Sequence, residues 1–391
     1  MDFRIPPPTI EADPHVTAQF ASDREAAQKA REEISNEKIA ATGIEPSDTD
    51  LITSWYGLHA FVNNEIIPLP KTYKYLPALL KKPNMIAVLA QAPELLMDIT
   101  KYLDVKSMAQ IYSVSRDFHE IINGHLSHVM TTCAQMQAPE SANIFSFTLY
   151  EPLCVIDPAG RNDPRTSGKI RKAPSLRWLQ MVIHREKTVR DILACLARQG
   201  HRMPKGMTLS LKKMWLVMDI STTIRRVQLM RSQAFFTNED LYNIQLFIVK
   251  LDMRFNDPIE GPGSELLRKL MLGQRGLTPL CRLLKRTAFT SSVDIIQAAV
   301  RYACEVRPQD RNLSILGIPP AEIGIGHLES WGAGRIHLMR PDELVVEESV
   351  RRRLNFKDHI LPMMLWGYVD PITGQNIQVT DEDMYMSDEE N

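Results

Sequence analysis

Residues 93–122 read PELLMDITKYLDVKSMAQIYSVSRDFHEII, and this stretch decides what kind of molecule the chain is. Pro93 suits a first helical turn, and Glu94 beside it complements the positive end of a helix dipole. Leu95, Leu96, Ile99 and Leu103 recur at helical spacing and make one apolar stripe. Asp104 and Ser107 interrupt it, and Ser107 is read as the cap of a second short helix carrying Met108, Ile111 and Tyr112. Val114 leads into a third helix with Phe118, Ile121 and Ile122 on one side, ended by Asn123-Gly124. The expected shape is a small three-helix hook. A segment this short does not bury so much apolar surface alone, so it needs a partner, either another chain or the rest of this one.

Pro93, Glu94, Leu95, Leu96, Ile99, Leu103, Met108, Val114, Ser115, Arg116, Phe118 and Ile121 stand in the order and spacing that resembles the F-box. Three places depart from that pattern. Gln91-Ala92 stands where Leu-Pro usually precedes the helix, Ser115 replaces a common Cys, and Phe118 replaces a common Trp. The resemblance spans residues 91–124. It implies that Pro93, Glu94, Leu95, Leu96, Ile99, Leu103, Met108, Val114, Arg116, Phe118 and Ile121 dock onto a Skp1-like adaptor and, through it, a cullin. The chain would then be a non-catalytic substrate-receptor subunit of a ubiquitin ligase, with its protein target unknown. An ordinary helical hairpin inside a larger helical domain accounts for the same residues without a partner.

The whole chain sets outer bounds. Its 391 residues suit two or three domains, and an apolar fraction of 44% is ample for a core. A formal net charge of −1 gives no nucleic-acid or membrane signature. Apolar runs such as 85–89 and 244–249 are too short to span a bilayer, and Met1 to Ile10 lacks the form of a signal peptide. Cys133, Cys154, Cys195, Cys281 and Cys304 are odd in number and scattered, which fits reduced thiols in a cytoplasmic or nuclear protein.

From end to end the reading is of an all-α chain with one short extended segment near 144–156. Residues 1–50 are a disordered or loosely helical arm. Residues 51–90 are an aromatic-rich segment, with Trp55, Tyr56, Phe61, Tyr73 and Tyr75, expected to pack on the hook. The hook is given residues 91–135. Residues 136–174 combine an extended segment, Ile144 to Tyr150 pairing with Leu153 to Ile156, and a basic linker containing Lys169-Ile170-Arg171-Lys172. Residues 175–306 form an irregular helical domain that would select the target. Its helices are expected from Ser175 through Ile183, from Thr188 to Gly200, from Thr208 through Met218, and from Thr237 through Leu251, where Asp240 completes a capping box. Three more follow, near 266–272, 278–284 and 292–304. Residues 307–380 are irregular apart from a helix at Leu344 to Leu354 with a Glu347–Arg351 pair. Residues 381–391 are an acidic disordered tail.

Motifs for chemistry are absent from the sequence. There is no Cys-x-x-Cys, no His-Glu-x-x-His and no Gly-x-Ser-x-Gly. His119, His125 and His128, with Cys133, fall short of a ligand set. Gly168-Lys169 lacks the earlier Gly and the later Ser or Thr of a phosphate loop. Arg225-Arg226, Arg231, Lys212-Lys213 and Arg351-Arg352-Arg353 are dispersed among acids and read as solvated helix faces. No catalytic residue, metal or cofactor is expected. The alternatives to the ligase reading are a helical scaffold or regulatory subunit with no ligase link, and an enzyme of unrecognised helical fold. The first two differ in whether Pro93, Leu95, Leu96, Ile99 and Phe118 stay uncovered or are buried.

Overall fold

Thr237 and Asp240 start the helix around which the rest is built. The Thr237 hydroxyl accepts from the Asp240 amide at 3.1 Å, and the Asp240 carboxylate accepts from the Thr237 amide at 2.9 Å. Two amides that a helix start leaves open are thereby satisfied, as the sequence predicts. A computed structural model of the chain describes residues 61–62, 65–66, 89, 91–163, 168–257, 265–310, 312–370 and 372–377, without the side chains of Phe61, Val62, Glu65, Ile66, Val114 and Glu265. The N-terminal arm, most of the aromatic segment, the loop after Asp257 and the acidic tail lie outside the described residues.

The chain divides into two units, 1–82 and 83–391. In the first, β1 (Phe61–Val62) pairs antiparallel with β2 (Glu65–Ile66), Phe61 opposite Ile66. The second is mainly helical. The hook supplies α1 (Pro93–Thr100), α2 (Val105–Val114) and α3 (Arg116–Gly124), followed by α4 (Leu126–Gln137) and α5 (Pro139–Ile144). A small sheet of β3 (Cys154–Ile156) and β4 (Lys172–Pro174) leads into α6 (Leu176–Arg198) and α7 (Met207–Met218). Then come α8 (Thr223–Arg231), α9 (Asn238–Phe255), α10 (Glu265–Leu272), α11 (Thr278–Leu284) and α12 (Ser292–Ala303). The C-terminal region adds α13 (Pro341–Arg351) and α14 (Phe356–Leu365). Helix α9 is apolar nearly all round and sits centrally, against α7, α10, α13 and α14. Leu241, Ile244, Leu246, Phe247 and Leu251 are fully buried in it.

Several sequence expectations are corrected. Residues 144–150 are not a strand: Ile144 closes α5 and tight turns follow at 147–149 and 151–153. Their alternation arises because the turns dip twice into one core, where Phe145 is buried and Phe147 meets Trp178 edge-on at 6.0 Å. The partner of Cys154–Ile156 is Lys172–Pro174, so the basic linker is the arm of a hairpin. Helix α6 is one helix, not two, because Glu186 continues its buried side through bonds to Ser141 and Lys212. Asp104, not Ser107, caps α2: its carboxylate accepts from the Ser107 amide at 3.2 Å. Helix α8, rich in arginine, has no apolar stripe to announce it. Helix α14 was hidden by Pro362 inside it. In α13, Glu347 faces Arg231 at 3.8 Å, while Arg351 and Arg352 both go to Glu348.

The basic residues read as solvated are partly interior. Lys212 is 1% exposed and binds Glu140 at 2.7 Å and Glu186. Arg226 is buried and donates to the carbonyl oxygens of Ile220, Met218 and Met339, the last on the chain leading to α13. Arg352 reaches the carbonyls of Met230 and Phe236. Each cation thus joins elements far apart in sequence, and its buried charge is compensated by hydrogen bonds.

Candidate docking surface

The hook divides its apolar residues between two sides. In α1, Leu96 and Thr100 lie one turn apart and are buried, while Leu95 is 52% exposed. Pro93 and Glu94 are exposed, and Ile99 is half-buried. The turn after α1 closes with amides of Tyr102 and Leu103 donating to the carbonyls of Ile99 and Thr100, and it leaves Tyr102 77% exposed with Leu103 half-buried. In α2, Met108 points inward at 1% exposure and Tyr112 is half-buried. Val114 ends this helix, its side chain outside the described set. Ser115 forms an extended joint (φ −133°, ψ 137°) that turns the chain into α3. There Phe118 and Ile122 are buried, Ile121 is half-buried, and Arg116 is exposed and paired with Glu120 at 3.2 Å. An exposed pair of this kind contributes little to stability.

The inner side is fastened to the helical block. Cys133 Sγ on α4 donates to the Thr100 carbonyl at 3.2 Å. Gln137 Nε2 donates to the carbonyls of Lys101 and Leu103 at 3.2 and 2.8 Å. Met108 and Ile122 belong to the same continuous apolar core as the residues of α6, α7 and α9. Within α2 and α3, the Tyr112 hydroxyl donates to Asn123 Oδ1 at 2.9 Å, and the His119 ring lies 4.5 Å from that of Tyr112. Leu96, Met108 and Phe118 are therefore interior in this chain, whereas Pro93, Glu94, Leu95 and Arg116 face outward.

Electrostatics at the hook is mild. Hydrogen bonds to Ser107 hold the Asp104 carboxyl below its usual value, which fits its capping role. Burial pushes the Cys133 thiol up, away from the reactive thiolate. Among the described residues no three His, Cys, Asp or Glu side chains gather at metal-binding range. His119 engages Asn123, and Cys133 turns inward to Thr100.

The interior cations Lys212, Arg226 and Arg352 are what sequence reasoning missed. The available signal was position: Lys212 stands between Leu211 and Met214-Trp215 in a helix with apolar residues on every side. Among the described residues no helix is long and apolar enough to cross a membrane. Comparison of the chain with protein-family models, curated proteins and solved structures finds no match.

Proposed function

We propose that the chain is an F-box-type substrate receptor: the outer face of the hook docks onto a Skp1-like adaptor and so onto a cullin, and the helical block binds a protein target. The observation that carries this reading is the outward exposure of Leu95, beside exposed Pro93 and ahead of exposed Tyr102, on a helix whose other side is locked by Leu96 and Thr100. A partly apolar surface, on a hook fastened to α4 of its own chain, is thus available to a partner. Covering the exposed half of Leu95 would stabilise a complex by about 1 kcal/mol. On this reading the chain contributes recognition, and other subunits carry the ubiquitin-transfer chemistry.

The second reading, a helical scaffold with no ligase link, draws on the continuity of Met108 and Ile122 with the main core. One experiment separates the two. The tagged full-length chain and its Leu95→Asp variant are purified from native lysate and probed for a Skp1-like protein and a cullin. Co-purification with the wild type and its loss with the variant supports the receptor. Absence of both partners from the wild-type sample favours the scaffold.

A further inference from the structure

We infer that a cleft between the hook and the β3–β4 hairpin is a binding site for a small amphipathic ligand with an apolar body and one carboxylate. The cleft is an open trough of about 560 Å³, in the range of small-molecule sites. Met108, Ile122, Leu126 and Met130 line its helical wall, and Val155 and Ile156 line the strand wall. Val155 and Ile156 are 41% and 66% exposed, so apolar surface faces solvent here until something covers it.

The charge around the cleft selects the ligand's polar end. Among the described residues no carboxylate lines it, and Arg177 is the one charged residue that does. The carboxylates just outside are already neutralised: Glu151 pairs with Lys172, and Asp157 pairs with Arg171 at 2.5 Å and Arg161 at 4.0 Å. Arg177 is exposed, with its guanidinium in no ion pair among the described residues. It lies in the first turn of α6, a helix of 23 residues, whose dipole adds positive potential at the same end. On the helical wall the Tyr112 hydroxyl donates to Asn123 Oδ1, and Asn123 Nδ2 lies 3.1 Å from a ring nitrogen of His119, so these polar groups are already engaged. An apolar trough with one available guanidinium suits an anion carried on a hydrophobic body, and it disfavours the same body bearing an ammonium. The site does not depend on adaptor docking.

The test uses the full chain labelled with ¹³C at its methionine methyls, with decanoate, 1-decanol and decylammonium as probes of equal apolar length. Decanoate should shift the Met108 and Met130 resonances, assigned from Met→Leu variants, and leave most other methionines in place. Decylammonium should bind at least about ten-fold more weakly. Arg177→Glu, an exposed change, should weaken decanoate by a similar factor without moving the melting temperature. Val155→Asp should do the same from the strand wall. Equal affinity for the three probes would overturn the site. So would decanoate shifts spread over the methionines generally, unchanged affinity in Arg177→Glu, or no decanoate binding at all. Leu95→Asp should leave decanoate binding intact, which separates failure here from failure of adaptor docking.

Discussion

The thiol of Cys133 donates a hydrogen bond to the carbonyl oxygen of Thr100, 3.2 Å away, and both residues are fully buried. This contact joins α4 to the end of α1, thirty-three positions earlier. With Gln137 bonded to the carbonyls of Lys101 and Leu103, it holds the hook's first turn against the helical block. The hook is thus held in shape by its own chain before any partner arrives.

Gln137→Ala removes both of those side-chain bonds. Two carbonyls in a partly buried turn then lose their donor, at a cost of about 1–3 kcal/mol. Hydrogen exchange should speed up across residues 100–108 while α9 keeps its protection. Unchanged exchange in the turn would mean that Gln137 does not hold it.

Lys212 governs an acid-sensitive contact. Burial alone raises the Glu186 carboxyl, but hydrogen bonds from Lys212 and Ser141 outweigh it and bring the group below its usual 4.5. A depressed carboxyl contributes stability above its unfolded value and loses it as pH falls through the folded one. In Lys212→Met only the Ser141 hydrogen bonds still oppose burial, so the carboxyl rises from its depressed position and the stability it contributes near neutral pH shrinks. The variant should be less stable by about 2–4 kcal/mol near neutral pH, low in the range for broken buried pairs because Glu140 is part-exposed. The gap should narrow as the pH is lowered to about 4. Urea denaturation at both pH values measures it, and a gap independent of pH would refute the assignment.

Phe247 is wholly buried at the centre of α9, with Leu246 beside it and Trp215 at 3% exposure in the same core. Phe247→Ala should cost about 3–5 kcal/mol. A thermal melt that does not move would contradict the central placing of α9.

The parts of the fold legible in the sequence are those governed by local rules. The Thr237–Asp240 cap, the Ser175 cap and the apolar run of α9 all depend on neighbours within a few residues. Apart from the cap of α2 and the helix around Pro362, what was not legible depends on distant partners. Glu186 looked like a break in α6 because its partners, Ser141 and Lys212, are 45 and 26 positions away. Arg226 looked solvated because one of the carbonyls it binds, that of Met339, lies 113 positions away. In the hook the helical stripe was legible, but its division was not. Leu95 and Leu96 are adjacent and equally apolar, and only the packing of α4 beneath Thr100 decides which of them is sunk.

That division makes Leu95 and Leu96 a matched pair. Leu96→Asp places a charge at a fully buried site, so it should unfold the hook and lower the melting temperature. Leu95→Asp should leave the melt unchanged. Destabilisation by both substitutions to the same extent would show that Leu95 is covered in solution.

Docking through the outer face of the hook is tested most directly by titrating the purified full-length chain onto an immobilised Skp1-like adaptor, with Leu95→Asp alongside. Saturable binding by the wild type, weakened at least about ten-fold in a variant with an unaltered melting temperature, is the predicted result. No binding by the wild type, or equal binding by the correctly folded variant, would contradict it.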